Sequence, residues 1–251
     1  MVRIIMNGCN GKMGQMISGL VAEDENAQIV AGIDPFTGVA NTYPVYAEIF
    51  DCKEEADVII DFASAKGVDH MLDYAVEKNL PVVLCTTGLS EEQLQNVAKV
   101  SKKIPVLKSA NMSLGINALM KLLSIAAEIF ANAGFDMEIV ERHHKFKLDA
   151  PSGTALALAD SMNAALGNEY TYRYDRSTVR EQRPQKEIGI SAVRGGTIVG
   201  EHEVIFAGTD EVIELKHSAT SRAVFGKGAI QAAKYIAGKP AGMYDMSNVI
   251  G

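Results

Sequence analysis

Two adjacent histidines, His143 and His144, lie in a segment that also carries Lys145 and Lys147. Histidine is the side chain whose unperturbed pKa lies nearest neutrality, so either imidazole could deliver or accept a proton. Strand alternation would direct the two rings to opposite faces, so that at most one of them aims at a given atom. The ammonium of Lys147, or of Lys145 instead, could pair with a carboxylate. The segment therefore predicts a site that transfers a proton and binds a small anion.

The turn that follows, residues 149–154, enters a helix predicted over 152–166. Its first backbone N–H groups, with the hydroxyls of Ser152 and Thr154 on either side of Gly153, would bind an oxyanion or a second carboxylate. Two anion sites suit a dicarboxylate. In the structural alternative, Ser152 is a plain helix cap and the histidines are surface residues at a charged strand end. The histidines are not spaced as a metal pair on a helix, and no metal site is predicted.

A second candidate site lies near the N-terminus, where Gly8, Gly11 and Gly14 follow a strand predicted over 2–7 and open a helix. Glycines allow the backbone to turn tightly and approach phosphates, and a helix N-terminus offers unpaired N–H groups. The spacing is GxxGxxG, and Asn10, a residue that tolerates left-handed backbone, takes the middle position. Since a strand precedes the loop and a helix follows it, the pattern predicts a dinucleotide pyrophosphate site.

Asp34 lies twenty positions beyond Gly14, at the end of the next predicted strand. A carboxylate there could accept hydrogen bonds from both ribose hydroxyls of NAD and would repel the extra phosphate of NADP. NADH is therefore the favoured cofactor, and NADPH stays open because Lys12 could partly neutralise that phosphate. The alternative is that Asp34 only caps the turn before Pro35.

Short β-rich runs alternate with amphipathic stretches over the first hundred residues, which predicts β-α-β units on a parallel sheet. The loops 86–88 and 109–113 follow two of these strands, at the edge where open parallel sheets bind ligands; ordinary turn chemistry is the alternative. Ser90 and Gln93 predict a capping box. The strands after the first are predicted over 28–34, 56–63, 81–86 and 105–109.

After residue 113 a long helix, a strand, a second helix and a run of strands predict an α+β domain with a largely antiparallel sheet. Residues 170–186 are polar and are predicted to be a loop, and a helix over 223–236 is expected to pack on the first domain. The predicted fold is thus α/β: a Rossmann-like doubly wound parallel sheet from 1–114 with 222–251, and an α+β domain over 115–221.

The 251 residues carry a formal net charge of -7, which argues against nucleic-acid binding because that needs a basic face. The three cysteines, Cys9, Cys52 and Cys85, are too widely spaced for a disulfide framework and fit a reducing cytoplasm. The N-terminus reads as a strand rather than a signal peptide, and no uninterrupted apolar run approaches ~18 residues. A soluble cytoplasmic protein without a membrane partner is expected.

The stretch Glu141-Arg-His-His-Lys-Phe-Lys-Leu-Asp-Ala-Pro-Ser-Gly-Thr-Ala155 closely resembles the signature of bacterial dihydrodipicolinate reductases, also called 4-hydroxy-tetrahydrodipicolinate reductases, of lysine and diaminopimelate synthesis. The likeness extends over almost the whole chain, including the glycine loop and the segments 86–88, 110–115, 221–222 and 242–246. It implies reduction of a cyclic dicarboxylate to tetrahydrodipicolinate by NADH or NADPH, in a homotetramer whose second domain binds the substrate and joins the subunits.

By this resemblance, hydride comes from the nicotinamide and a proton from His143. Lys147 assists protonation and holds a carboxylate, His144 contacts the substrate, and the turn of Gly153 and Thr154 binds a carboxylate. The positions that match cofactor contacts are Gly8, Cys9, Asn10, Gly11, Lys12, Met13, Asp34, Cys85, Thr86, Thr87, Ser109, Ala110, Asn111 and Met112.

Two positions depart from the family pattern. Phe146 stands where many members carry another histidine, which lowers the local positive charge. Cys85 replaces the glycine usual before Thr-Thr-Gly, and its side chain could crowd the cofactor or expose a thiol there.

Two other interpretations remain. A semialdehyde dehydrogenase would need a catalytic cysteine, yet Cys52 and Cys85 both lie in the predicted cofactor domain, away from the histidine segment. A non-catalytic sensor would bind NADH but consume none when given the cyclic substrate.

Overall fold

The computed structural model describes residues 1–251 and divides them into two compact units. The first unit comprises Met1–Ser113 with Ala223–Gly251, and the second comprises Leu114–Arg222. The boundaries predicted from the sequence, after residues 114 and 221, each differ by one residue from those in the structure. Each unit contains its own sheet and its own buried core.

The first unit is built on a seven-stranded parallel sheet of order β12-β6-β5-β4-β1-β2-β3. Its middle strands are almost entirely apolar, as strands covered on both faces must be. In chain order the strands are β1 Val2–Asn7, β2 Ala27–Ile33, β3 Val45–Tyr46, β4 Val58–Asp61, β5 Val82–Leu84, β6 Pro105–Leu107 and β12 Gly242–Tyr244.

Helices cover both faces of this sheet, which confirms the doubly wound fold. Alternate residues of the central strands point to opposite faces, so Ile4 belongs to one core cluster and Ile5 to the other. The predicted capping box is confirmed: Ser90 accepts from the backbone N–H of Gln93, and the side chain of Gln93 accepts in return. The helices are α1 Lys12–Ala22, α2 Val68–Lys78, α3 Glu91–Val100, α6 Ala223–Ile236 and α7 Met246–Ile250.

The second unit is a five-stranded sheet of order β11-β10-β7-β9-β8. Strand β10 runs antiparallel to β7 and β11, whereas β9 runs parallel to β7 and β8, so the sheet is mixed rather than largely antiparallel as predicted. The helix that follows β7 is the crossover that allows the parallel half. The elements are α4 Leu114–Asn132, β7 Asp136–His143, α5 Gly153–Ala165, β8 Thr171–Tyr174, β9 Glu187–Arg194, β10 Gly200–Ala207 and β11 Val212–Ala219.

The prediction of a loop over 170–186 was wrong at its start, because β8 lies there. This strand is polar, mostly exposed and at the edge of the sheet, so it carries none of the apolar alternation that reveals a half-buried strand.

Helix α4 is long and apolar enough to cross a membrane by length and composition, with mean hydropathy 1.6 over its most apolar window. That is weak evidence for a span, since the core helix of a globular protein passes the same test. In this chain, Leu119, Leu123 and Ala127 of α4 pack in the core of the second unit with residues of α5 and the sheet.

Candidate functional site

The glycine loop connects β1 to α1 at the carboxyl edge of the parallel sheet. Gly8 has a φ of 79°, and a β-carbon there would lie 2.7 Å from the carbonyl oxygen of Phe62. Helix α1 begins at Lys12, and its N-cap residue, Gly11, has no side chain to bond the first turn. A tight glycine backbone beside an uncapped helix N-terminus fits the pyrophosphate of a dinucleotide.

Two of the residues that were predicted to contact the cofactor have side chains too buried to reach it. Cys9 is 0% exposed and Met112 is 5% exposed, and both pack in the core cluster on one face of the sheet. Lys12 is exposed, while Asn10 and Met13 are half-buried. Any contact from Cys9 or Met112 to a nucleotide must therefore come from the backbone.

Asp34 follows β2 and is tied to the glycine loop. Its Oδ2 accepts a hydrogen bond from the backbone N–H of Asn10 at 3.0 Å, and its Oδ1 accepts from the backbone N–H of Phe36 at 3.0 Å. The turn-capping role is therefore present. A carboxylate has about four acceptor positions, so it can cap this turn and still accept from a ribose.

Two buried polar side chains, Asp61 and Thr86, lie at the ends of β4 and β5. Asp61 Oδ1 accepts from Asn7 Nδ2 at 2.7 Å, and the Thr86 hydroxyl lies beside the same carboxyl group. Burial raises the pKa of Asp61. Asp61 was not predicted as a site residue, although an acid that ends a continuous apolar strand is a signal that could have identified it. With Thr87, and with Ser109, Ala110 and Asn111 after β6, these residues line the edge where parallel sheets bind ligands.

The cysteines are not activated for nucleophilic chemistry. Cys85 packs against the core cluster of the first unit, and burial raises the pKa of its thiol well above the usual range. Cys52 is 8% exposed, and burial raises its pKa as well. Since the thiolate is the nucleophile, these environments disfavour the acylating dehydrogenase interpretation.

His143 is the last residue of β7, where burial alternates along the strand. It is 8% exposed, and His144, the next residue, is half-buried with its Nδ1 unpartnered. Beyond them Phe146 is 72% exposed, so the aromatic ring that departs from the family pattern lies at the surface. The two histidines differ in burial, as strand alternation predicts.

Glu141, the first residue of the signature stretch, had no predicted role, and it is 0% exposed. Its Oε2 lies 2.6 Å from His143 Nδ1, and its Oε1 accepts from the backbone N–H of Ser152 at 2.9 Å. Arg194 donates to both carboxylate oxygens, each at 2.7 Å. Burial opposes ionisation, yet these donors together hold the pKa of Glu141 below its usual value. The available signal was the i, i+2 spacing, which places Glu141 on the buried face with His143.

Ser152 is the N-cap of α5 and is 1% exposed. Its hydroxyl accepts from the backbone N–H of Ala155 at 3.2 Å and lies 3.1 Å from His202 Nε2. The hydroxyl and the N–H of Ser152 are thus both engaged within the chain. Gly153 is exposed and Thr154 is half-buried, so this turn is accessible to a ligand from Gly153 onward, but not at Ser152.

Lys147 lies in the segment that leads into α5. Its Nζ is 2.8 Å from Asp149 Oδ1, and this ion pair holds the pKa of Asp149 below its usual value. The backbone N–H of Gly153 acts on Asp149 in the same direction. The carboxylate of Asp149 therefore contacts both Lys147 and the N–H of Gly153, which were predicted to bind a substrate carboxylate.

The doubly wound sheet with its glycine loop, and the second unit with its buried histidine, define an oxidoreductase of the Rossmann class. Family models for the N-terminus and the C-terminus of dihydrodipicolinate reductase match residues 2–112 and 115–250. The chain therefore belongs to the dihydrodipicolinate reductase family, as its sequence motifs predicted.

Individual relatives agree with this assignment. The chain is 51% identical over 250 residues to 4-hydroxy-tetrahydrodipicolinate reductase of Caldanaerobacter subterraneus subsp. tengcongensis, covering 100% of this chain and 98% of the relative. It is 49% identical over 251 residues to the protein of the same name from Clostridium novyi, with the same coverage. A solved structure of dipicolinate-bound dihydrodipicolinate reductase from Paenisporosarcina sp. TG-14 superposes with a TM-score of 0.83 at 25% identity and covers 100% of both chains.

Proposed function

We propose that this protein reduces 4-hydroxy-tetrahydrodipicolinate to tetrahydrodipicolinate, in the synthesis of lysine and diaminopimelate, and that His143 supplies the proton. The observation that carries the proposal is the pairing of His143 with buried Glu141 at 2.6 Å, in the same segment as Lys147 and the start of α5. The second unit therefore contains a proton donor, His143, and two groups that could each bind a carboxylate, the ammonium of Lys147 and the N–H groups at the start of α5.

The first unit would bind the nicotinamide dinucleotide. The loop from Gly8 to Met13 would hold the pyrophosphate, Asp34 the adenosine ribose, and the segments 85–87 and 109–112 the nicotinamide half. A bound nicotinamide supplies the hydride. NADH is the preferred form, because the carboxylate of Asp34 repels the additional phosphate of NADPH.

The second unit would bind the cyclic dicarboxylate. The groups that Asp149 engages would turn to the substrate: Lys147 would pair with one carboxylate, and the turn of Gly153 and Thr154 would bind the other at the positive end of α5. His144 contacts the ring. The 4-hydroxyl of the substrate leaves as water; hydride then adds to one atom of the resulting ring double bond, and His143 delivers a proton to the other.

The assembly is proposed to be a cytoplasmic homotetramer. Helix α4 carries Leu122, Ile125 and Ile129 with exposed fractions of 54%, 54% and 58%. An apolar stripe of this kind is typical of a surface that is covered by another subunit. Sedimentation equilibrium tests the proposal, and a monomer mass at micromolar concentration would reject it.

The decisive experiment is an assay of NADH and NADPH oxidation with the cyclic substrate, at matched cofactor concentrations. H143Q should lower kcat by about 10²- to 10⁴-fold while leaving NADH affinity intact. The matched control is H70Q, which changes an exposed histidine of the first unit that is paired with Glu48. If the wild-type protein binds NADH but consumes none, it is a dinucleotide sensor and the proposed function is wrong.

A further inference from the structure

We propose that Glu141 is a positioning residue: its single carboxylate sets both the orientation of His143 and the place of the α5 N-terminus relative to it. This inference rests on the proposed function, in which His143 is the proton donor. The role is distinct from binding the substrate, because Glu141 is 0% exposed and cannot reach a ligand.

The hydrogen bonds of Glu141 join three separate parts of the second unit. Oε2 meets His143 Nδ1 at the end of β7, and Oε1 accepts from the backbone N–H of Ser152 at the start of α5. Arg194, at the end of β9, bonds both oxygens in a bidentate pair. A planar fork of this kind fixes the plane of the carboxylate as well as its position. A shift of Glu141 would therefore move the proton donor and the carboxylate-binding turn together.

The contact also decides which nitrogen of His143 can exchange a proton. Because Glu141 is held ionised by its donors, the Nδ1–H of His143 donates to Oε2. Nε2 is then the nitrogen from which the imidazolium gives its proton, and the ring that is left is neutral with its Nδ1–H in place. Gly200 of β10 leaves room for this atom, since a β-carbon at position 200 would lie 3.1 Å from Nε2.

Arg194 extends the same network to the segment that carries Lys147. Its second terminal nitrogen donates to the backbone carbonyl of Asp149 at 2.6 Å. One guanidinium thus holds the acid that orients His143 and the residue that pairs with Lys147. The expected effect of losing Glu141 is misalignment of the proton donor, while the nucleotide-binding loop of the first unit keeps its own contacts.

A buried ion pair can also be purely structural, so the test must separate positioning from folding. E141Q keeps the size of the side chain but has only one acceptor oxygen, and its amide can bond to the wrong imidazole tautomer. The matched control is E138Q, the same substitution on the same strand, at a half-buried acid that pairs with Arg183. We expect E141Q to lower kcat about 100-fold with an unchanged KM for NADH, and E138Q to change neither constant.

The second measurement is made on the wild-type protein and does not depend on E141Q. Nitrogen-15 NMR of imidazole-labelled protein, with H143Q used to assign the resonances, reports the tautomer of His143. Protonated Nδ1 and unprotonated Nε2 in the neutral ring support the proposal. The opposite tautomer, or an E141Q variant with wild-type kcat, overturns it.

The two experiments also separate this inference from the proposed function. If the wild-type protein fails to oxidise NADH with the cyclic substrate, the function is wrong whatever the tautomer. If the wild-type protein is active and E141Q loses kcat and NADH affinity equally, Glu141 acts through general stability and the positioning role is rejected.

Discussion

A β-carbon on Gly14 would lie 2.2 Å from the carbonyl oxygen of Gly8, so helix α1 meets the glycine loop backbone to backbone. G14A should therefore lower the free energy of unfolding by about 3 kcal/mol or more, because backbone atoms cannot move aside as a flexible side chain can. Gly19 lies in the same helix, and a β-carbon there meets nothing within 4 Å. G19A should raise stability by up to about 1 kcal/mol. Urea unfolding of the protein without cofactor compares the two, and equal effects would contradict the close-approach account.

Asp149 engages Lys147 in the way that a substrate carboxylate would. D149N should therefore lower the KM for the cyclic dicarboxylate by about two- to fivefold, which is the range expected for an ion pair that is partly exposed to solvent. Steady-state kinetics at saturating NADH measure the change. D210N, which removes the same charge from the exposed turn between β10 and β11, is the control. A raised KM in D149N would mean that Asp149 holds Lys147 in place for the substrate rather than competing with it.

His202 is 4% exposed, and burial, assisted by the nearby His143, lowers its pKa from 6.5 to about 4. A base with a depressed pKa in the folded state stabilises the protein above its unfolded pKa. That stability is lost as the pH falls from 6.5 toward 4, by up to about 3 kcal/mol. Thermal unfolding at pH 7 and at pH 4.5 measures the loss. H202Q should flatten the dependence in this window, whereas H70Q should keep it; parallel curves for all three proteins would exclude His202 as the cause.

Asp61 gives a pH dependence of the opposite sign. Burial raises the pKa of this acid above 3.8, so the folded state favours its protonated form. The contribution of Asp61 to stability is then fully present below pH 3.8 and is lost as the pH rises through the folded pKa. D61N keeps an acceptor for Asn7 and carries no charge, so it should raise the melting temperature at pH 7, with the gain shrinking toward pH 4. D57N, which breaks an ion pair with Arg3, should lower the melting temperature instead. A lower melting temperature for D61N at pH 7 would show that Asp61 is ionised and needed as such.

Much of the framework could be predicted from local sequence. Strand β1 and helix α6 have the bounds that were predicted for them, and Ser90 with Gln93 forms the expected capping box. These features depend on residues within one turn or one strand of each other. Strand β8 escaped prediction because an edge strand pairs on one side only and needs no apolar pattern.

The sequence by itself determined the chemistry that is available: the paired histidines, Lys147, the glycine loop and the family to which they belong. Only the tertiary structure decided which partners hold these groups in place, such as Glu141 for His143. Glu141 meets Arg194 across 53 positions and Ser152 meets His202 across 50, so neither partner is visible in any local window. A buried carboxylate needs donors, and only the fold brings Arg194 and the backbone N–H of Ser152 to Glu141.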